Sequence, residues 1–312
     1  MWKKENIKRH IILYSVILSI TLLSTIRWSY SSLSEEEIKA KYKFFQPVID
    51  KLIAENIDSS FVYALLSDPN TKFNEKYVKI NVTGYLKKPD YSGFYNDNSL
   101  NKSLEFLNKN LDKLKDCEDK YNVPKEVITA IIWVETKHGD YLGNNHIPSV
   151  YLSTALASQE EYIDLNKKTL REDFTGTDSE LVELDKKIEK RAVKKAKWAL
   201  NELKSLHKIH SKGQIDILAL RGSWAGAFGL SQFLPSSYLR CAVDGNGDNI
   251  IDLFTVDDAI HSVANYLKLA GWKSNLKSQE KAVHSYNNSN EYVNAVLKLS
   301  KKIKSAEKSN SE

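Results

Sequence analysis

The chain has 312 residues, 42% hydrophobic and 27% charged, which suits a globular protein with one large or two modest cores and excludes a disordered or fibrous one. Its net charge of +5 permits an anionic polymer as partner, but no arginine cluster or compact basic run marks a nucleic-acid binder. The two cysteines, Cys117 and Cys241, lack metal-ligand spacing, and either one disulfide or two buried thiols would fit.

At the N-terminus Lys3, Lys4, Lys8 and Arg9 precede an almost unbroken apolar run over residues 11–26. That run has the length of a signal-peptide core and is short for a membrane span. Ser29 and Ser31 offer a small-x-small cleavage pattern, and no cysteine follows to carry a lipid. Residues 1–31 therefore read as a signal peptide or a retained signal anchor, and the remainder as exported. Residues 32–98 read as a helical and irregular segment packed on the core. Within it, the spacing of Phe44, Phe45, Val48, Ile49, Leu52 and Ile53 predicts a helix over 35–53. A second short helix is expected over 61–66, stopped by Asp68-Pro69-Asn70, then a strand over 77–86 and a turn-rich loop over 88–98. Residues 99–300 form the main domain, opening with helical periodicity over 99–121 through Leu104, Leu107, Leu111 and Leu114.

Chemistry first surfaces between Asn122 and Asp140. Pro124 suits the first turn of a helix, Val127, Ile128, Ile131, Ile132 and Val134 give a wide apolar face, and Gly139 supplies a stop. Glu135 continues that buried stripe in the last turn. Burial and the negative end of the helix dipole both favour its protonated form, the starting state a general acid needs. The competing reading is a structural glutamate paired with a lysine or arginine.

After Gly143 the chain is irregular until an apolar, buried stretch at 151–157. Thr177-Asp178-Ser179-Glu180 is a capping-box pattern that opens a long helix, with Leu181, Leu184, Ile188, Ala192, Ala196, Ala199, Leu203 and Leu206 on its inner face. The lysines on its other face read as solvated. Next comes G-S-W-A-G-A-F-G-L-S-Q-F-L-P-S-S from Gly222 to Ser237, where small hydrogen-bonding groups sit beside Trp224 and Phe228. Sugars need that mixture, with apolar faces and polar rims; a glycine-rich structural turn is the alternative. Asp244, Asn246, Asp248 and Asp252 then fall at positions one, three, five and nine of an EF-hand-like loop, with Ile250 offering its carbonyl. Asn249 replaces the usual glycine and Thr255 the closing glutamate, so weak calcium binding is the most expected, and a plain cap at Thr255 to Asp258 is the alternative. Residues 301–312 read as a frayed polar tail.

Four ordered motifs carry a resemblance. They are V-P-x-E-V-I-x-x-I-I-x-V-E-T-x-x-G, then G-S-W-A-G-A-F-G-L-S-Q-F-L-P-S-S-Y, then D-A-I-x-S-V-A-N-Y-L-x-x-x-G-W, then Y-N-N-S-x-x-Y. Together, over about residues 103–297, the chain resembles the membrane-bound lytic murein transglycosylase B family of bacterial cell-wall enzymes. The resemblance implies a mainly α fold with a lysozyme-like catalytic core, additional helices and a small β or loop portion. It implies cleavage of the bond between N-acetylmuramic acid and N-acetylglucosamine without water, leaving 1,6-anhydro ends, in the periplasm. By the same resemblance Glu135 is the single catalytic acid and base, Ser223 and Gln232 contact substrate beside it, and Tyr286 with Asn287 helps close the site. Asp258 would complete the calcium shell. Glycan strands are the expected partner, with membrane association through the N-terminal segment and a monomeric state. A lysozyme-type hydrolase and a non-catalytic glycan-binding protein are the competing functions.

Overall fold

The computed structural model describes residues 33–84, 90–172 and 174–309. The apolar N-terminal run and its serines lie outside them. The first helix, α1 (Glu35–Ala54), opens on a complete capping box between Ser34 and Glu37, and α2 (Ser59–Ser67) follows. The strand expected over 77–86 is instead α3 (Glu75–Thr83), capped by Asn74, whose side chain accepts from the Lys76 amide at 3.0 Å. Its buried residues, Tyr77, Val78, Asn81 and Val82, recur at steps of one and four, a helical face. Valine and isoleucine gave the stretch a strand-like composition, but tertiary burial decided its period.

A 3₁₀ turn (Ser92–Tyr95) leads to α4 (Asp97–Lys109) and α5 (Leu111–Tyr121). The single helical stretch expected over 99–121 thus breaks at Asn110, whose amide donates back to the Phe106 carbonyl at 2.8 Å. Then come α6 (Lys125–Thr136), β1 (Asn145–His146), α7 (Ile147–Ala155), a 3₁₀ turn (Leu156–Ser158) and α8 (Glu160–Arg171). The long α9 (Asp178–Lys212) starts on the expected Thr177–Glu180 capping box and ends at Gly213 with φ +68°. After β2 (Arg221–Gly222) the chain finishes with α10 (Pro235–Cys241), α11 (Val256–Leu269), α12 (Leu276–Tyr286) and α13 (Asn290–Ser309). The tail expected to fray from residue 301 is helical to Ser309, because Ile303 is fully buried and pins that last stretch.

Two apolar clusters organise the packing. One surrounds α9 and draws in α1, α2, α3 and α7; the other surrounds α6 and draws in α4, α5, α11, α12 and α13. Tyr286 and Ala270 pack against both, so α12 ends at the seam between them. β1 and β2 form an antiparallel ladder, Asn145 opposite Gly222 and His146 opposite Arg221, that ties the chain after α6 to the glycine-rich stretch. Cys117 and Cys241 are free thiols, both buried, one in each cluster.

Candidate active site

Helix α6 is buried on every side rather than along one stripe. From Glu126 to Thr136 every residue is buried except Glu135, the one position with partial access to solvent. The helix ends at Lys137, before the expected stop at Gly139, and Lys137, His138 and Gly139 all hold positive φ. Thr136 secures this turn. Its hydroxyl lies 3.2 Å from the Ile132 carbonyl and 3.1 Å from the Leu230 carbonyl, and it accepts from the Gly139 amide at 3.1 Å. One threonine thereby joins the end of α6 to the glycine-rich loop.

The Glu135 carboxyl sits among phenols. Tyr292 of α13 donates to its Oε1 at 2.6 Å, and the Tyr292 ring stacks on Tyr286 at 6.4 Å with the planes 8° apart. Tyr286 in turn donates to the Ser231 carbonyl at 2.5 Å and packs on Tyr266 at 4.7 Å. Tyr91 meets Tyr292 edge-on at 5.8 Å and lines the same cleft as Asn287. Desolvation in this setting lifts the Glu135 carboxyl from its ordinary 4.5 to about 7, against the opposing pull of the Tyr292 hydroxyl, which favours the anion. No cation neutralises it in an ion pair among the described residues, which removes the reading as a structural salt-bridge partner.

Beside this layer lies a cleft of about 860 Å³. Tyr91 and Tyr286, whose rings meet that of Tyr292, line it together with Asn287, Trp198, Trp224 and Lys195. Trp224 is 48% exposed, an apolar plate open to solvent. Lys195 lies 4.2 Å from the Trp198 ring, and desolvation lowers its ammonium to about 8.

The glycine-rich loop folds back on itself through paired hydrogen bonds between Phe228 and Phe233, at 3.0 and 3.1 Å. Its glycines are dictated by space: at Gly226, with φ +85°, a Cβ would fall 2.3 Å from the Tyr151 ring. Ser223 accepts from the Ala227 amide at 3.1 Å through its Oγ, which leaves the hydroxyl proton to donate. Gln232, at φ +48°, donates its amide to the carbonyls of Leu142 and Gly229 at 3.2 and 2.9 Å. Of the residues singled out from sequence, Glu135, Tyr286 and Asn287 gather around one tyrosine layer. Ser223 and Gln232 lie on the loop that Thr136 fastens to α6, with their recorded bonds to main chain. Sequence reasoning missed Tyr292 and Tyr91. Tyr292 is the last position of Y-N-N-S-x-x-Y, so its signal was in hand; Tyr91 lies outside every motif.

The acidic loop is closed by its own amides. Asp244 accepts from Gly247 and Asn249 at 2.7 and 2.8 Å, Asp248 from Ile250 at 2.7 Å, and Asp252 from Phe254 at 2.9 Å. Buried Asp258 joins the two ends, accepting from Gly245 at 2.7 Å and Asp252 at 2.6 Å. Thr255 caps α11, but Asp258 points to the loop and not back to the Thr255 amide, so the capping box is half formed. Asn249 takes φ +67°, the conformation that glycine has in such loops. The donor set of hard oxygens fits calcium in kind. However, among the described residues no three acidic, histidine or cysteine side chains converge on one point, so a cation would have to draw Asp244, Asp248 and Asp252 together. The Leu230 amide donates to the Leu253 carbonyl at 2.8 Å, so this loop also buttresses the glycine-rich one.

This is the architecture of an acid-bearing helix fastened to a glycine-rich loop, and residues 41–282 match the Transglycosylase SLT domain family, to which the chain belongs. It is 34% identical over 179 residues to the membrane-bound lytic murein transglycosylase B of Escherichia coli K12, covering 57% of this chain and 40% of that protein. The chain thus spans well under half the length of that curated relative. Its fold is that of the lytic transglycosylase Slt35 of Escherichia coli, solved in complex with bulgecin A, at a TM-score of 0.65 and 22% identity over 84% of this chain and 93% of that one. A second Slt35 structure, in complex with calcium, aligns with a TM-score of 0.64 at the same identity and coverage. SltB3 of Pseudomonas aeruginosa, in complex with NAG-anhNAM-pentapeptide, aligns with a TM-score of 0.62 and 18% identity over 84% of this chain and 79% of that one. The fold is mainly α, with the lysozyme-like core these proteins share.

Proposed function

We propose that the chain is an exported lytic transglycosylase that acts as a monomer on peptidoglycan, cleaving the β-1,4 bond between N-acetylmuramic acid and N-acetylglucosamine. The single observation that carries this reading is Glu135, a carboxyl raised to about 7, bonded by Tyr292 and unpaired with any cation among the described residues. Protonated Glu135 gives its proton to the leaving O4 of N-acetylglucosamine as the bond to C1 breaks. The resulting carboxylate takes the proton from the C6 hydroxyl of the muramic acid as that oxygen bonds to C1. The acid is regenerated, a 1,6-anhydro ring closes and no water is consumed. Tethering of the C6 hydroxyl to the reacting ring replaces several kcal/mol of positioning cost. Ser223 and Gln232 present the loop face to the glycan, and Tyr286 with Asn287 closes the opposite side.

A lysozyme-type hydrolase has one observation in its favour. Glu291 lines the same cleft, and hydrolases of this kind use a second carboxylate to bind water or attack the sugar. Glu291 accepts from the Ser289 hydroxyl at 2.9 Å, beside the first turn of α13, which reads as a local capping contact. Digestion of purified sacculi in ¹⁸O-labelled water separates the two functions. Muropeptides ending in 1,6-anhydro-N-acetylmuramic acid without label are expected, and Glu291→Gln should leave that product unchanged. Reducing ends carrying the label would make the protein a hydrolase.

Two features complete the reading. Asp244, Asn246, Asp248, the Ile250 carbonyl, Asp252 and Asp258 form a weak structural calcium loop, supported by oxygen-donor spacing and the left-handed Asn249. Residues 1–31 direct export, either as a signal peptide that is cleaved or as an anchor that keeps the protein on the periplasmic side of the inner membrane.

A further inference from the structure

A groove between α1 and α2 belongs to neither core cluster's interior nor the cleft. It has a volume of about 460 Å³ and is lined mainly by Ile38, Tyr42, Ile53, Val62, Tyr63 and Leu66. Val62 and Leu66 form its buried floor, while Tyr42, Ile53 and Tyr63 stand 42%, 45% and 62% exposed around it. Scattered exposed apolar residues are ordinary; three large ones converging on one apolar depression are not.

We propose that this groove seats on the headgroup–acyl boundary of the bilayer that holds the apolar run 11–26. The inference rests on the anchored form of the function proposed above. Chain length is the first argument. Only residues 27–34 separate the apolar run from Glu35, and eight extended residues reach at most about 29 Å. Ile38 is one turn into α1 and Tyr42 two turns, so the near end of the groove lies within about 11 Å of the point where the tether joins. A tether of that reach lets this end of α1 come down on the membrane. Chemistry is the second argument. Tyrosines with an apolar body and a polar tip are the side chains that settle at membrane–water interfaces. The third argument concerns charge. Across α1, Glu35, Glu36, Glu37 and Asp50 balance Lys39, Lys41, Lys43 and Lys51, so attraction to anionic lipid is not what would hold the face down. Seating should therefore depend on apolar contact and change little with salt.

The test uses the full chain in liposomes of phosphatidylethanolamine and phosphatidylglycerol, with single added cysteines carrying an environment-sensitive nitrobenzoxadiazole dye. Native Cys117 and Cys241 are buried and stay unlabelled in the folded protein. Ser60→Cys, exposed beside the groove, is expected to show a blue-shifted emission that brominated lipids quench, unchanged by salt. Lys304→Cys, exposed on α13 in the cluster around α6, should show neither effect. Adding Tyr42→Ser and Tyr63→Ser should remove the quenching at position 60; both sites are exposed, so the fold should survive. Ser19→Cys, inside the apolar run, reports insertion of the anchor separately. Quenching at 19 without quenching at 60 overturns the seating and leaves the anchor standing. Quenching at 60 without 19 removes the anchor and overturns the tethered seating, since the groove would then reach the bilayer without it, whereas quenching at neither rejects both. A blue shift at 60 without bromine quenching would put protein in the groove, from this chain or a second copy, and also overturns the proposal.

Discussion

At Glu135 activity and stability pull in opposite directions. A carboxyl that titrates at about 7 in the folded chain and near 4.5 when unfolded binds its proton more tightly in the native state. Below the lower value both states are protonated and folding carries no penalty. As pH rises through the window to about 7, the native state retains protons the unfolded chain has lost, and stability falls by roughly 3 kcal/mol. Glu135→Gln should therefore abolish lysis of sacculi while raising the melting temperature at pH 8, with little gain at pH 4.5. A correctly folded variant that keeps more than a few per cent of wild-type lysis would remove Glu135 from the chemistry. Tyr292→Phe makes a finer distinction. The lost hydroxyl favours the carboxylate, so its removal raises the Glu135 pKa and moves the alkaline limb of the lysis profile to higher pH. A limb that stays put, or moves to lower pH, would mean that Tyr292 does not govern the acid.

The elements around this residue were unevenly legible from the sequence. Helix α6 announced itself through Pro124 and its isoleucines, and α9 through Thr177 and Glu180, because caps and apolar periodicity act locally. α3 did not, since the burial of Tyr77, Val78, Asn81 and Val82 is set by neighbours distant in the chain; the Asn81 amide, for instance, lies 3.3 Å from the Trp224 carbonyl. The site divides the same way. Glu135 could be reached from its own helix, whereas the Tyr91 contact with Tyr292 joins positions 201 residues apart and leaves no local trace. The acidic loop is where an element-scale prediction falls. Millimolar calcium should raise the melting temperature, and Asp244→Ala with Asp248→Ala should abolish the rise. A wild-type transition unmoved by calcium would leave the loop as an amide-closed turn that props Leu230 through Leu253.

Over the whole molecule, the two buried thiols supply a measurement that needs no added probe. Cys241 is packed in the cluster around α9 and Cys117 in the cluster around α6, and both are at most 1% exposed. Burial also holds the Cys117 thiol well above its ordinary range, so in the native state it is neither accessible nor ionised. Each can react with an alkylating reagent only when its own half opens. If the halves unfold as one cooperative unit, both thiols will be consumed at the same rate and with the same dependence on denaturant. If the seam at Tyr286 can part first, one cysteine will be labelled under conditions that still protect the other. Which thiol reacts first then names the half whose opening would expose the tyrosine layer over Glu135.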